Sequence, residues 1–151
     1  MAIIKTNWSK ANEDEEKDDY SSINPSGFVQ REYPNIVPGK YLYHRCHLIG
    51  WSIGGLDVDR RNIMTGTRDF NIKGMKPFED KVYYYLKSNQ ANNVLYRVTP
   101  YFQGNDKLAS GINIEAYSIE DSGSLHFNVY VYNVQNGIDI NYETGESEEA
   151  E

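Results

Sequence analysis

The sequence predicts one α+β domain, built on an antiparallel β-sheet with a single clear helix. Its 151 residues suit one domain with one hydrophobic core. Thirteen tyrosines favour a half-buried sheet surface, because aromatic side chains pack well on pleated strands. The last third alternates polar and apolar residues, as strands do when one face is buried and the other is hydrated.

Both ends of the chain are acidic and predict little regular structure. Residues 1–23 are expected to form a disordered arm, since residues 13–19 alone carry six carboxylates and few apolar side chains. Residues 146–151 are expected to form a solvated acidic tail. The domain proper is therefore predicted to span residues 24–145.

Short elements are predicted in the first half of this domain. Residues 27–33 are predicted as a short strand, and residues 41–49 as an aromatic and branched strand that carries His47 near its end. Residues 57–64 are predicted as a loop with a short strand or a helical turn. Residues 65–74 contain two glycines and several polar residues, which favours a turn.

One helix is predicted after this turn. A helical period relates the apolar residues Phe78, Val82, Tyr85 and Leu86, and Pro77 fits a first-turn position. The helix is expected to end within residues 89–93. The remaining sequence predicts an antiparallel meander, with turns containing Gly and Asp between its strands, at residues 94–102, 108–119 and 125–134.

The net charge of −7 is unevenly distributed along the chain. The two acidic ends hold half of the 22 carboxylates, whereas residues 40–110 carry a net charge of +5. This central excess predicts either a surface that attracts phosphate or an ordinary mixed surface.

Three other interpretations of the sequence are disfavoured: a reactive cysteine, a zinc site, and a membrane span or export signal. The single cysteine, Cys46, excludes an intramolecular disulfide and is expected to be a buried, inert residue and not a nucleophile. A zinc site on His44 and His47 is disfavoured, because residues i and i+3 of a strand point to opposite faces. No apolar run reaches 18 residues, and residues 1–4 are too short for an export signal, so no membrane span or export signal is expected.

His47, Asn71 and Glu79 together fit phosphodiester hydrolysis. An imidazole can take a proton from water near neutral pH. An amide carbonyl is a hard oxygen ligand that leaves Mg²⁺ largely hydrated, and a carboxylate can hold one of the surrounding waters. These residue types are common in polar loops, so their presence alone does not establish a nuclease.

A further signal comes from six segments in a fixed order: YLYHRCHLIGWSIGG, RRNIMTGTRDFN, GMKPFEDKV, VLYRVTPYF, ASGINIEAYSIED and FNVYVYNVQNGIDINY. Together they resemble the DNA/RNA non-specific endonuclease family, the ββα-metal nucleases, over residues 24–145. The bacterial branch with streptococcal secreted DNases and DNA-entry nucleases is the most similar. The resemblance implies an antiparallel β-sheet with a ββα-metal finger and a flanking helix.

The resemblance also implies roles for individual residues. The motif His44-Arg45-Cys46-His47 matches the family's Asp-Arg-Gly-His, so His47 is expected to be the general base and Arg45 to support the site or the phosphate. Asn71 matches the metal-ligating asparagine, and Glu79 matches the acidic residue that positions water on the metal.

Four other residues receive supporting or binding roles from the same comparison. Asn62 is expected to be structural or supporting. His44 stands where the family usually has Asp or Asn, which predicts that a hydrogen bond supporting the site is weaker. Arg68 and Arg97 are candidate contacts to nucleic-acid phosphates, and ordinary solvated arginines are the alternative for each.

The function expected from these features is an Mg²⁺-dependent endonuclease, with Mn²⁺ as a substitute ion, that cuts DNA and also RNA with little sequence preference. An inhibitor or immunity protein is a candidate partner. Family members are often secreted or delivered as toxins, so a destination outside the cell is expected. The acidic arm replaces an upstream strand and helix of the family, so the alternative is a truncated, degenerate member that binds nucleic acid or a protein without cutting.

Overall fold

A computed structural model describes residues 2–5, 20–54 and 59–151. Within these residues the chain forms eight strands and one α-helix, in three antiparallel sheets. The α+β class and the antiparallel sheet predicted from the sequence are thus confirmed. None of the helices in the described ranges is long and apolar enough to cross a membrane.

The largest sheet has four strands in the order β1-β4-β5-β6. The strands are β1 (Ala2–Lys5), β4 (Asn93–Tyr101), β5 (Gly111–Ser118) and β6 (His126–Tyr132). The last three form the predicted meander. Their alternating side chains bury Val94, Tyr96, Ile112 and Ile114 on one face and leave the other face exposed.

A hairpin and a helical segment pack beside the buried face of this sheet. Strands β2 (Tyr43–His47) and β3 (Ile63–Thr67) form the hairpin, with His47 opposite Ile63. A π-helical segment, Phe70–Met75, then continues into the helix α1, Lys76–Ser88. The Thr67 hydroxyl accepts a hydrogen bond from the backbone N–H of Phe70 at 3.0 Å, which caps the start of the helical segment.

The helix α1 matches the predicted period. Its side chains Val82 and Leu86 are fully buried in the main core, and Phe78 packs against Phe127 of β6 with ring centroids 5.3 Å apart. Asn89 follows the helix as its C-cap, at the start of the range in which the sequence predicts the end.

A second, smaller core lies at the other end of the hairpin. It contains Tyr33, Val37, Leu42, Tyr43, Leu108 and Ile138. A two-stranded sheet of β7 (Ile138–Ile140) and β8 (Ser147–Glu149) lies next to it. The Tyr43 hydroxyl donates to the Gly145 carbonyl at 2.8 Å, so the C-terminal segment is tied to the hairpin.

The structure corrects the prediction of a disordered arm at Ala2–Lys5 and shows a short strand within the acidic C-terminal tail. Ala2–Lys5 is a strand because its backbone pairs with residues 93–96 of β4, a partner far away in the sequence. Ser147–Glu149 is a strand because it pairs with Ile138–Ile140. The acidic run at residues 13–19 lies outside the described residues.

Two further predictions were wrong. Residues 65–74 form the end of β3 and a helical segment, because Gly66 and Gly74 permit close packing and do not mark turns. Residues 27–33 form no strand beyond one isolated pairing of Glu32 with Tyr41. Instead, the Gln30 amide hydrogen-bonds both backbone groups of Tyr43, at 2.7 and 2.9 Å.

Candidate active site

The hairpin separates its side chains onto two faces. Cys46 and His44 point toward the helical segment, whereas Arg45 and His47 point toward residues 20–28. His44 and His47 therefore do not share a face, as the sequence predicted. His47 is the last residue of β2 and precedes Gly50 by three residues.

On the helix side, Cys46 is a packing residue. A methyl group built on Gly66 would lie 2.6 Å from the Cys46 Sγ and 2.5 Å from the Phe70 ring, so the absence of a side chain at Gly66 lets strand and helix approach. Burial raises the pKa of the Cys46 thiol, which disfavours the thiolate. This agrees with the prediction of an inert cysteine.

On the opposite face, Arg45 and His47 contact the segment that precedes the hairpin. The Nε of Arg45 donates to the Ile23 carbonyl at 2.5 Å, and its guanidinium lies 4.4 Å from the centre of the Phe28 ring. The His47 ring meets the Tyr20 ring edge-on at 4.6 Å. Residues 20–28 are therefore part of the frame that orients the predicted base and its neighbour.

Asn62 fixes the backbone that follows His47. Its side-chain oxygen accepts the Ile49 N–H at 2.9 Å, and its side-chain nitrogen donates to the Ile49 carbonyl at 3.1 Å. The Asn62 carbonyl also accepts the Leu48 N–H at 2.8 Å. The side-chain amide of Asn62 thus holds Ile49 and its backbone carbonyl holds Leu48, which agrees with the structural or supporting role expected for Asn62.

Glu79 lies in the first turn of α1 and packs against this same backbone. A methyl group built on Gly50 would lie 2.9 Å from the Glu79 Oε1 and 3.0 Å from its Cδ. Burial raises the pKa of Glu79 to about 7, with a smaller contribution from the neighbouring Asp80. Glu79 therefore comes close to the chain three residues after His47.

The π-helical segment brings Asn71 to the same side of the helix as Glu79. In a regular α-helix, residues eight apart differ by about 80° around the axis. The Lys76 N–H donates to the Asn71 carbonyl five residues earlier, which inserts about one extra residue into the turn. Eight residues then complete about two turns, so Asn71 and Glu79 point in similar directions.

The donor set fits a hydrated hard cation. The side-chain amide of Asn71 and the carboxylate of Glu79 have no hydrogen-bond partner among the described residues and are available to an ion and its waters. Within residues 2–5, 20–54 and 59–151 there is no cluster of three or more His, Cys, Asp or Glu side chains that could hold a metal directly. One amide ligand with a nearby carboxylate suits Mg²⁺, which keeps most of its waters, better than Zn²⁺, which needs several N or S ligands.

Two other predicted site residues, His44 and Arg68, lie near each other. His44 is half-buried, and burial together with the nearby Arg68 lowers its pKa. Its Nε2 has no hydrogen-bond partner in the described part of the chain. Arg68 is 3.9 Å from Asp69 and lies at the far end of the hairpin from His47.

Arg97 lies on the exposed face of the four-stranded sheet, away from α1. Its Nε donates to Glu115 on the adjacent strand at 2.7 Å. This position and this partner give no support to a phosphate contact near His47, so the role of Arg97 stays a prediction.

Sequence reasoning missed three residues of the site. Gly50 was identified only as a break in regular structure, although its missing side chain makes room for Glu79. Gln30 and Tyr20 received no role, yet they contact β2 and His47. Only the tertiary contacts reveal these residues, because no local pattern distinguishes them.

Comparison with known proteins agrees with the fold and with the motifs. The family model for DNA/RNA non-specific endonucleases matches residues 7–120. A curated deoxyribonuclease from Streptococcus dysgalactiae subsp. equisimilis is 34% identical over 109 residues, covering 70% of this chain and 32% of that protein. The chain thus spans about a third of the length of this relative.

Solved structures with the same fold include two nucleases. The Sda1 nuclease with bound zinc ion has a TM-score of 0.88 and 24% identity, over 99% of this chain and 75% of that one. NucA from Streptococcus agalactiae with magnesium ion bound has a TM-score of 0.81 and 23% identity, over 99% and 72%. Together with the family match over most of the chain, these similarities lead to one assignment: the chain belongs to the DNA/RNA non-specific endonuclease family.

Proposed function

We propose that the protein is a metal-dependent endonuclease that hydrolyses phosphodiester bonds of DNA, and also of RNA, with little sequence preference. The observation that carries this proposal is the position of Glu79 against Gly50, three residues after His47, with Asn71 on the same side of the helix two turns earlier. Family membership and the streptococcal deoxyribonuclease relative support DNA as the substrate.

In this mechanism His47 is the general base. Its imidazole takes a proton from a water molecule, whose oxygen attacks the phosphorus as the bond to the 3′ oxygen breaks. The product then carries a 5′ phosphate, as the family resemblance implies. The Tyr20 ring packs against His47, and the hydrogen bonds from the Asn62 side chain to Ile49 hold the backbone that follows His47.

Asn71 is proposed to hold Mg²⁺, with Mn²⁺ as a substitute, and Glu79 to accept hydrogen bonds from its hydrating water. When bound, the ion supplies positive charge that stabilises the phosphate and the leaving oxygen in the transition state. Glu79 needs to be ionised for this role, and a nearby cation lowers the pKa of a carboxyl that burial has raised. Arg45 supports His47 through its contacts to residues 23 and 28.

We also propose that the protein acts outside the cell that makes it. Two solved structures of similar fold support this location, since they are described as an extracellular nuclease and an extracellular endonuclease, with TM-scores of 0.61 and 0.59. An inhibitor or immunity protein that would protect the producing cell remains a prediction.

The test is plasmid digestion with Mg²⁺ present or chelated, for the wild type, His47→Ala and His126→Ala. His126 is a matched control because it is an exposed histidine on the outer face of the sheet. We expect cleavage by the wild type and His126→Ala only when Mg²⁺ is present, and a large loss for His47→Ala. Cleavage in chelator, or full activity of His47→Ala, would contradict the mechanism, and binding without cleavage would favour the non-cutting alternative.

A further inference from the structure

A cleft of about 270 Å³ lies beside the hairpin face that carries His47. Ile63, the cross-strand partner of His47, lines this cleft together with Leu48, which follows His47 in the chain. Cross-strand partners lie on the same face of a hairpin, so the cleft begins next to the side of the hairpin that presents the proposed base. A substrate with its phosphate at His47 would therefore extend one of its neighbouring groups over the cleft.

The cleft has apolar walls and one exposed aromatic ring. Leu48, Ile63 and Pro100 contribute apolar surface, and Phe102 remains 45% exposed although it is a large hydrophobic side chain. The Thr65 hydroxyl, which also faces the cleft, already donates to the Ser26 carbonyl at 2.9 Å. The volume is below the range of about 300–1,000 Å³ typical of pockets for drug-sized ligands, which suits a single planar ring system.

Two adjacent arginines border the cleft and differ in their partners. Arg61 is held by Asp59, with its guanidinium nitrogen 2.6 Å from the carboxylate. Arg60 is exposed and has no ion pair or hydrogen bond to any residue that the structure describes. Among the described residues no carboxylate pairs with Arg60, so its positive charge at the cleft would attract an anionic backbone.

From these features we infer that the cleft binds an unpaired nucleobase of the substrate adjacent to the cleaved phosphodiester. The base stacks on Phe102, and Arg60 contacts a neighbouring phosphate. Stacking on an aromatic ring tolerates every base, because each base has a π-face, so the site agrees with low sequence preference. This inference rests on the proposed function, since His47 defines which side of the cleft the phosphate occupies.

The proposal predicts that the enzyme binds single strands, or frayed and flipped bases, better than it binds intact duplex. A base inside a duplex is stacked on its neighbours and cannot reach Phe102 without being displaced. Binding is measured in chelator by fluorescence anisotropy of a labelled single-stranded DNA and of the matching duplex. Because this measurement requires no cleavage, failure of the cleft and failure of the nuclease proposal are distinguished.

Four variants test the two contacts. We expect Phe102→Ala to weaken single-strand binding by about tenfold, Phe102→Trp to keep it, and both to leave duplex binding nearly unchanged. We expect Arg60→Ala to weaken binding and to lower the slope of log affinity against log salt by about one, whereas the matched control Arg61→Ala has little effect. Thermal unfolding of each variant checks its fold.

A structural signature completes the test. A single-stranded oligonucleotide with one 2-aminopurine is expected to lose fluorescence when this base stacks in the cleft of the wild type and of Phe102→Trp, but not of Phe102→Ala. The proposal is overturned if folded Phe102→Ala binds single strands and quenches 2-aminopurine as the wild type does. It is equally overturned if Arg61→Ala weakens binding as much as Arg60→Ala.

Discussion

Gly50 should support full activity because its missing side chain leaves room for Glu79. Its backbone angles, φ −66° and ψ 153°, are open to any residue, so its conformation does not require glycine. Alanine at such a position would ordinarily stabilise a protein by about 0.4–1 kcal/mol, since it restricts the unfolded chain. The predicted harm from Gly50→Ala therefore comes from the new methyl group alone.

The size of the effect follows from the distances. The added Cβ would lie 2.9 Å from the Glu79 Oε1, 3.0 Å from its Cδ and 3.2 Å from its Oε2, all shorter than ordinary van der Waals contacts of 3.4–4 Å. The carboxylate must retreat by about 0.5 Å or more. A displacement of 1 Å in an active site can cost about 100-fold in rate, so we expect Gly50→Ala to lose about tenfold in kcat.

A double-mutant cycle separates this contact from a general effect of alanine. On a Glu79→Asp background the carboxylate is one methylene shorter and leaves space for the methyl group. We expect Gly50→Ala to cost about tenfold in the wild type but less than threefold in Glu79→Asp, measured as the rate of plasmid cleavage. Gly104→Ala is a control for an added methyl group far from Glu79, where it meets no atom within 4 Å, and its thermal unfolding is measured because the φ of 53° at Gly104 strains alanine.

Two results would show that the contact between Gly50 and Glu79 does not matter for activity. One is an equal loss from Gly50→Ala on both backgrounds, which would mean that the two residues do not act through each other. The other is an unchanged rate for Gly50→Ala in a protein of normal stability. Either result would mean that the carboxylate of Glu79 does not need its place against the chain after His47.

Substitutions at four other residues give separate predictions. Asn71→Ala should abolish Mn²⁺ binding in calorimetry, whereas Asn71→Asp should retain it, because a carboxylate is also a hard oxygen ligand. In chelator, the contribution of Glu79 to the free energy of unfolding should fall by about 3 kcal/mol as the pH rises from about 4.5 to 7, because the folded state keeps the Glu79 proton after the unfolded chain has lost it. Urea melts should show that Glu79→Gln flattens this dependence, and an unchanged slope would contradict the burial of the carboxyl. Arg45→Ala should lower the free energy of unfolding by about 2 kcal/mol through its lost contacts to residues 23 and 28, measured by the same melts. Asn62→Ala should lower it by about 2–4 kcal/mol, because both backbone groups of Ile49 lose their partner, and should also reduce kcat.

Local patterns in the sequence predicted the elements that depend on residues close to one another in the chain. The helix α1 repeats apolar residues at Phe78, Val82 and Leu86, and each of these contacts or enters the core. The strands β4, β5 and β6 follow one another through short turns, so their alternation alone indicates the meander. Neither result requires information about distant partners.

Elements that depend on distant partners escaped prediction. The strand β1 pairs with β4, about ninety residues later, and its four residues carry no pattern of their own. Gly66 and Gly74 were interpreted as turn residues, but their close approach to Cys46 and Val131 is a tertiary feature. Each of these errors has the same cause: the residue type was compatible with the sequence prediction, and a remote contact decided the structure.

For the candidate site, the roles of the residues could be predicted but their arrangement in space could not. The roles of His47, Asn71 and Glu79 came from the family resemblance, whereas the sequence offered no sign of their arrangement. The π-helical turn that aligns Asn71 with Glu79, and the contact of Glu79 with Gly50, appear only in the folded chain. They bring Asn71 and Glu79 of the proposed site to one side of the helix.

The central claim is that His47 takes the proton from the attacking water. Rescue of His47→Gly by added imidazole tests it most directly, because the small base can enter the space left by the side chain. We predict that His47→Gly with Mg²⁺ is nearly inactive on plasmid DNA, and that imidazole restores cleavage in proportion to its unprotonated fraction as the pH is varied. Cleavage by His47→Gly at the wild-type rate without imidazole would contradict the account.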